Sequence, residues 1–357
     1  MKSISFIICS NGFGHTKRSA KVLNELINRN LKFSFNVICN SSRIDFLKSN
    51  IKSKLKRIKI NTSLMENEPN WLKFDKLNFS QYIEWASKFK FDKTLLNSDL
   101  IVSDNHVAPL INDKKTILMG SFLWLDVINN YNKKPNKISE YEKSILKRYS
   151  PEMIAVDNMY NETVRKNTRI FPVPWFESRR VYEKFILFNN ILITSGGTEE
   201  LDLFFIKLVK RLAYENNSKN FFLDSKLIRK LKTKSKSFLT NIFEFDFSEE
   251  SFKKIDVAIC RPGIGILTDC MSYIIPVIAV SNNKNSEIIF NSKKVVSKGI
   301  GISIMLDNKD IEDKDYIRIN NYINSRDKLN DCIEEIKSQK MDGHILASEK
   351  IINEVLK

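Results

Sequence analysis

Glycine is scarce in this chain: ten residues in 357, under half of the roughly 7% usual in globular proteins. Histidine is rarer still, with three residues. No run approaches the roughly 18 consecutive apolar residues of a membrane-spanning helix, which excludes a transmembrane reading. The five cysteines are odd in number and form no CxxC pair, so neither a disulfide framework nor a zinc site is indicated. They read as small buried apolar residues. The apolar run from Ile4 to Cys9 is too short for a signal peptide, and the SNGFGH that follows is no cleavage site. The expected location is therefore cytoplasmic. A net charge of +16 comes without a zinc finger, an RNP signature or an arginine-rich helix, which argues against specific nucleic-acid recognition.

What is present is the balance of a soluble globular protein, 42% hydrophobic and 28% charged, long enough for two domains. The few glycines are concentrated. Eight fall in four pairs, Gly12 and Gly14, Gly196 and Gly197, Gly263 and Gly265, Gly299 and Gly301, leaving Gly120 and Gly343 apart. The first three pairs each follow a short apolar run and precede a helix-like segment, the strand, glycine loop and helix arrangement of nucleotide-binding α/β folds.

In the first half, strands are expected at Ser3 to Cys9, Lys32 to Cys39, Asp99 to Ser103, Lys115 to Met119 and Met153 to Val156. Helices are expected from Thr16 to Asn30, within the aromatic-rich Trp71 to Leu96, and from Ser139 to Arg148. The stretch Phe171-Pro172-Val173-Pro174-Trp175 reads as a linker, because alternate prolines favour extended backbone. The alternation then restarts at Asn190 to Thr194 and continues through Val257 to Cys260 and Val277 to Ser281 into a largely helical tail. The expected fold is α/β, two Rossmann-like doubly wound domains facing a central cleft. Their bounds are 1–172 and 173–340, with a C-terminal helix at 341–357 returning towards the first domain.

The first loop, Ser10-Asn11-Gly12-Phe13-Gly14-His15-Thr16-Lys17-Arg18, places one of the three histidines between a glycine turn and a helix N-terminus. The third, Cys260-Arg261-Pro262-Gly263-Ile264-Gly265-Ile266, leads through Asp269 into Ile275-Pro276-Val277-Ile278. These motifs, in order with Gly196-Gly197-Thr198, resemble the signatures of GT-B glycosyltransferases. The group is the one that contains the lipid II N-acetylglucosaminyltransferase, the pseudaminic-acid pathway nucleotide-sugar hydrolase and the GT-B module of arabinokinases. GFGHTKR is similar to that group's GxGHxxR element, and DLIVSD followed by FLWLD is similar to its arabinokinase-type stretch.

The resemblance implies a metal-independent transferase that moves a hexosyl or N-acetylhexosaminyl group from a nucleotide-sugar donor, with a UDP-sugar first among candidates, to a hydroxyl of a glycan or lipid-linked acceptor. The setting implied is cell-surface glycan or glycolipid synthesis. No cofactor is implied, and no DxD stands where a metal-dependent transferase would need it. His15 would be the base, with Asp104 holding its Nδ1 proton; His106, two residues from Asp104, competes for the role. The donor would meet Gly14, Gly196, Gly197, Thr198, Arg261, Gly263, Gly265, Asp269 and Glu287. Two departures stand out: Asp269 replaces the group's common Glu, and Ile266 replaces a loop Thr. A nucleotide-sugar hydrolase and a non-catalytic glycan- or nucleotide-binding protein remain as alternatives.

Basic residues concentrate at Lys48 to Lys59 and Lys226 to Lys236, six in each run. The first run, with the aromatics and lysines between Trp71 and Phe91, suggests docking on an anionic membrane surface, so the protein would be peripheral on its inner face. The alternative is that the aromatics belong to an ordinary core.

Overall fold

The structure is a computed structural model that describes residues 1–29, 31–51, 57–71, 73, 76–133, 135–180, 187–196, 199–234, 240–306 and 312–357. The chain divides into two units, the first comprising Met1–Ser178 and Met341–Lys357, the second Arg179–Lys340.

In the first unit, strands β1 (Lys2–Ile8), β2 (Phe33–Ile38), β3 (Ile58–Asn61), β4 (Leu100–Asp104), β5 (Thr116–Met119), β6 (Glu152–Val156) and β7 (Arg169–Val173) form one parallel sheet in the order β3-β2-β1-β4-β5-β6-β7. Near-continuous apolar runs such as Ile4 to Cys9 are buried on both faces, as strands of a helix-covered parallel sheet must be. The second unit repeats the scheme with β8 (Asn190–Thr194), β9 (Asn220–Asp224), β10 (Ile242–Phe245), β11 (Val257–Cys260), β12 (Val277–Asn282) and β13 (Gly301–Leu306), ordered β10-β9-β8-β11-β12-β13. In each sheet the order reverses next to the first strand of the unit, between β1 and β4 and between β8 and β11. Ligands of open α/β sheets bind outside the carboxyl ends of the strands at such a reversal.

The stretch expected as a linker is in part strand β7. Pro172 has no N–H to donate, and it is accommodated because β7 is an edge strand that needs bonds on one side only. The chain passes from one unit to the other after Ser178. It returns at Met341, where Gly343 N–H donates to Trp175 O at 2.8 Å and Asp342 N–H to Glu177 O at 2.9 Å. The helix Gly343–Leu356 packs along the helix Phe13–Asn28 in the first unit, with Ala347 and Ile351 fully buried and Arg29 paired to Glu349 at 2.9 Å.

The aromatic segment follows the second of its two readings: its helix is Phe79–Phe91, and Trp71, Tyr82, Trp85 and Phe89 are core residues, Trp71 lying flat against Trp124 with ring centroids 5.4 Å apart. Only Phe91 among the described rings of this stretch is strongly exposed. The aromatics thus serve the core, and Lys52, Lys54, Lys56 and Phe74 lie outside the described residues. The described part of the second basic run is an amphipathic helix, Ser225–Lys234, whose Leu227, Ile228 and Leu231 are buried while Lys226 and Lys230 pair with Asp202; Lys236 lies outside the described residues. No helix among the described residues is long and apolar enough to cross a membrane.

Two outcomes are expected of this packing. A Cβ at position 343 would lie 2.0 Å from the carbonyl oxygen of Pro174, so Gly343→Ala should lower unfolding free energy by about 3 kcal/mol or more in urea titration. Glu142 accepts a hydrogen bond from Tyr82 at 3.0 Å inside the aromatic core, and burial pushes its carboxyl up to about 7. The folded state thus holds a proton that the unfolded chain releases, and stability declines as pH rises between the two values. Glu142→Gln keeps the acceptor and removes the charge, so it should raise stability at pH 8 by about 1–3 kcal/mol, with the gain shrinking towards pH 5.

Candidate functional site

Beyond β1 the chain turns at Gly12, whose φ of 132° is accessible to glycine and strained for other residues, and enters the helix Phe13–Asn28. No side chain caps this helix and its first turn carries no acidic residue. The helices at Phe79, Lys137, Glu162, Glu249 and Ser286 are instead capped by Asn78, Asn136, Asn161, Ser248 and Asn285. The first amides of the Gly12 helix, including that of Gly14, therefore keep their positive partial charge.

His15 occupies the first turn of that helix and Asp104 the end of β4, opposite Ile8 of β1. His15 Nδ1 is 2.7 Å from Asp104 Oδ1. Because an ionised carboxylate only accepts, Nδ1 carries the proton and donates it. Nε2 makes no hydrogen bond among the described residues. Asp104 is 1% exposed, yet its charge is matched: Arg18 grips it through Nη2 to Oδ1 at 2.6 Å and Nε to Oδ2 at 3.1 Å, and Ser19 Oγ donates at 3.0 Å. Burial drives the Asp104 carboxyl up, but Arg18 and then His15 outweigh it and hold the group below its ordinary value. Arg18 closes the GFGHTKR motif, and the resemblance gives it no role. Its signal is the spacing, since residues three apart on a helix share a face.

His106 does not share this setting. Its Nε2 lies 3.0 Å from Glu68 Oε1, both side chains are 1% exposed, and its ring sits 5.3 Å edge-on from Trp85. Glu68, which sequence reasoning missed, also accepts from Asn11 Nδ2 at 2.8 Å, Cys9 Sγ at 3.2 Å and Ser10 N–H at 3.0 Å. Burial raises the Glu68 carboxyl, and His106 with these donors lowers it below its usual value. The Cys9, Glu68 and His106 ligand atoms lie within 4.8 Å of one another, the one grouping among the described residues with the chemistry to hold a metal ion. The protons around Glu68 Oε1 already account for that closeness.

In the second unit, Gly196 follows β8 with φ 65°, and its N–H donates to Thr194 Oγ1 at 3.2 Å. Thr194 Oγ1 donates to Asp224, which also accepts from Leu227 N–H. Arg261 follows β11, paired alongside β8, and its N–H donates to Thr194 O at 3.2 Å. Its guanidinium is buried; burial lowers its pKa, while the carboxylates of Glu287 and Glu200 act to raise it. Gly263 begins the helix Ile264–Ser272, which includes Gly265 and again has neither a capping side chain nor an acidic first turn. Asn291 Nδ2 donates to Pro262 O at 2.9 Å and secures the loop. Asp269 is buried on this helix rather than displayed on its surface, and Glu287 lies in the first turn of the helix Ser286–Ser297. Gly197 and Thr198 lie outside the described residues.

No family profile matches the chain, and no curated protein matches its sequence. Solved structures do match. They include the glycotransferase of kitacinnamycin (11% identity, TM-score 0.65, 99% of both chains) and the calicheamicin glycosyltransferase CalG4 (12%, 0.63, 100% of this chain and 99% of that one). A third is UGT89C1 of Arabidopsis thaliana, complexed with quercetin (11%, 0.68, 99% of both chains). At such identities the likeness shows the fold, the α/β GT-B architecture of two parallel-sheet units.

Arg18→Met would leave buried Asp104 with only His15 and the neutral Ser19 hydroxyl as partners, and losing one partner of a buried charge pair costs about 3–5 kcal/mol. A carboxyl held below its ordinary 3.8 contributes stability above that pH, which is lost as pH falls through the folded value. The gap between Arg18→Met and the parent in denaturant titration should therefore be full at pH 7 and narrow below about pH 4.

Proposed function

We propose that the protein is a GT-B glycosyltransferase that passes a sugar from a nucleotide diphosphate donor to an acceptor hydroxyl. The observation that carries this reading is the His15–Asp104 dyad at the reversal point of the first sheet, and the second sheet has a buried Arg261 and an uncapped glycine-led helix at its own reversal point. The GT-B likeness of the whole chain supports it.

In this scheme His15 Nε2 takes the acceptor hydroxyl proton, the freed oxygen attacks the anomeric carbon, and the bond from that carbon to the diphosphate breaks. Asp104 fixes the tautomer that leaves Nε2 able to accept and stabilises the imidazolium that forms. The leaving diphosphate gathers charge that the first amides of the Gly263 helix, Arg261 and the Gly196 loop are suited to receive. No step requires a metal ion. Asp269 and Glu287 would bind ribose and sugar hydroxyls. UDP-L-rhamnose is bound by UGT89C1, and a UDP-sugar is the first donor to try here. The subgroup of the lipid II and pseudaminic-acid enzymes, with hexosyl or N-acetylhexosaminyl transfer in cell-surface glycan synthesis, rests on the four loop motifs. A lipid-linked acceptor at an anionic membrane rests on the basic run at 48–59 alone, since the aromatics are accounted for by the core.

A thermal-shift screen with uridine, guanosine, thymidine and cytidine diphosphosugars identifies the donor, and transfer is then followed with a panel of acceptors. His15→Ala should lower kcat by about 10²- to 10⁴-fold with donor Kd nearly unchanged in calorimetry. A loss confined to donor binding would remove His15 from the base role. Donor consumption that proceeds equally without acceptor would make the reaction hydrolysis.

A further inference from the structure

Two acid–histidine pairs stitch together the loops that follow β1 and β4, and only one has a place in the scheme above. His15, from the β1 side, reaches Asp104 at the end of β4. His106, two residues beyond Asp104, reaches Glu68, which binds back to Cys9, Ser10 and Asn11 on the β1 side. The intervening Asn105 has φ 62°, a left-handed turn that short polar side chains tolerate. The first pair stands at the start of a helix with Nε2 unengaged among the described residues; the second is sealed beneath Trp71 and Trp85.

The sealed pair has the loop almost completely tied. Three consecutive residues donate to Glu68, Asn11 Oδ1 accepts from Trp71 N–H at 3.1 Å, and the Arg43 guanidinium donates to Ser10 O. Gly12 follows at once, and its N–H closes the turn onto Ser10 O at 2.9 Å. His15 stands three residues further on, so a displacement of Ser10 or Asn11 is transmitted through one glycine turn to the imidazole. A buried carboxylate with several donors is a stiff anchor, because each bond it loses leaves charge uncompensated in a low-dielectric site.

We infer that Glu68, held by His106, is a positioning residue that sets the β1 loop so that His15 Nδ1 meets Asp104. Its catalytic consequence rests on the reading of His15 as the base; its structural content does not. With three histidines in the chain, ¹⁵N-histidine labelling yields three imidazoles, assignable by His106→Gln and His344→Gln. In the parent protein His15 should show a protonated Nδ1 with a slowly exchanging proton and an unprotonated Nε2. In Glu68→Ala that proton should exchange at least about tenfold faster or vanish from the spectrum, while Glu68→Gln, which keeps an acceptor, should restore most of the protection. In the transfer assay the same order should appear in kcat, about tenfold or more for Glu68→Ala, with donor KM little changed.

If Glu68→Ala fails to fold, Asn11→Ala removes one of the three donors the loop gives Glu68 and the acceptor of Trp71 N–H without stranding a buried charge, and it should perturb the His15 signal in the same direction. An unmoved His15 signal in whichever of these variants is folded overturns the proposal, even if transfer is demonstrated. A signal that depends on Glu68 sustains it, even if no transfer is found and the glycosyltransferase reading falls.

Discussion

A carboxylate taken out of water destabilises a fold by several kcal/mol unless donors replace the solvent it has lost, and the first unit is organised around meeting that requirement for Asp104. Four side-chain contacts, one from His15, two from the Nε and Nη2 of Arg18 and one from Ser19, come from one turn and a half of a single helix. That helix can deliver them only if it begins where it does, which requires β1 to lie beside β4 and the chain to reverse abruptly at Gly12. Arg18 lies with its guanidinium 5.8 Å from the Phe176 ring, and Lys21 on the same helix pairs with Glu177 at 2.6 Å. The helix that satisfies the buried charge thereby also fixes the segment by which the chain leaves this unit.

The second unit buries a charge of the opposite sign. At its reversal point the buried group is the cation of Arg261, whose pKa burial lowers while the carboxylates of Glu287 and Glu200 act against that without overcoming it. A buried anion beside His15 and a buried cation at the Gly263 loop suit the proposed transfer, in which His15 gains a proton and the leaving diphosphate gains negative charge.

Much of this was legible in the residues because glycine is so rare: where a chain uses few, the pairs at Gly12 and Gly14 and at Gly263 and Gly265 stand out as loop ends, and both prove to begin helices. Apolar runs buried on both faces, such as Val257–Cys260, were equally plain. Short-range pattern said less about Pro172, since its tolerance on an edge strand depends on what lies beside β7 and not on its sequence neighbours. The amphipathic helix Ser225–Lys234 was hidden because its lysines drew attention to charge rather than to the spacing of Leu227, Ile228 and Leu231. Glu68 was invisible for a different reason. Its importance arises from contacts 57 to 59 residues distant in sequence and from His106, and nothing local distinguishes it from a solvated acid.

The placement of Pro172 bears on how the protein behaves in a crowded solution. An open parallel sheet ends in a strand with unpaired backbone groups, and such a margin is a template on which a strand of another chain can add. On β7 the margin is interrupted by a residue that cannot donate, and the ammonium of Lys350 stands 5.2 Å from the neighbouring Phe171 ring. A strand arriving from another molecule would meet a missing donor. Pro172, which looks like part of a break in the chain, thus acts as a guard against intermolecular sheet growth, on the side of the fold farthest in strand order from β3.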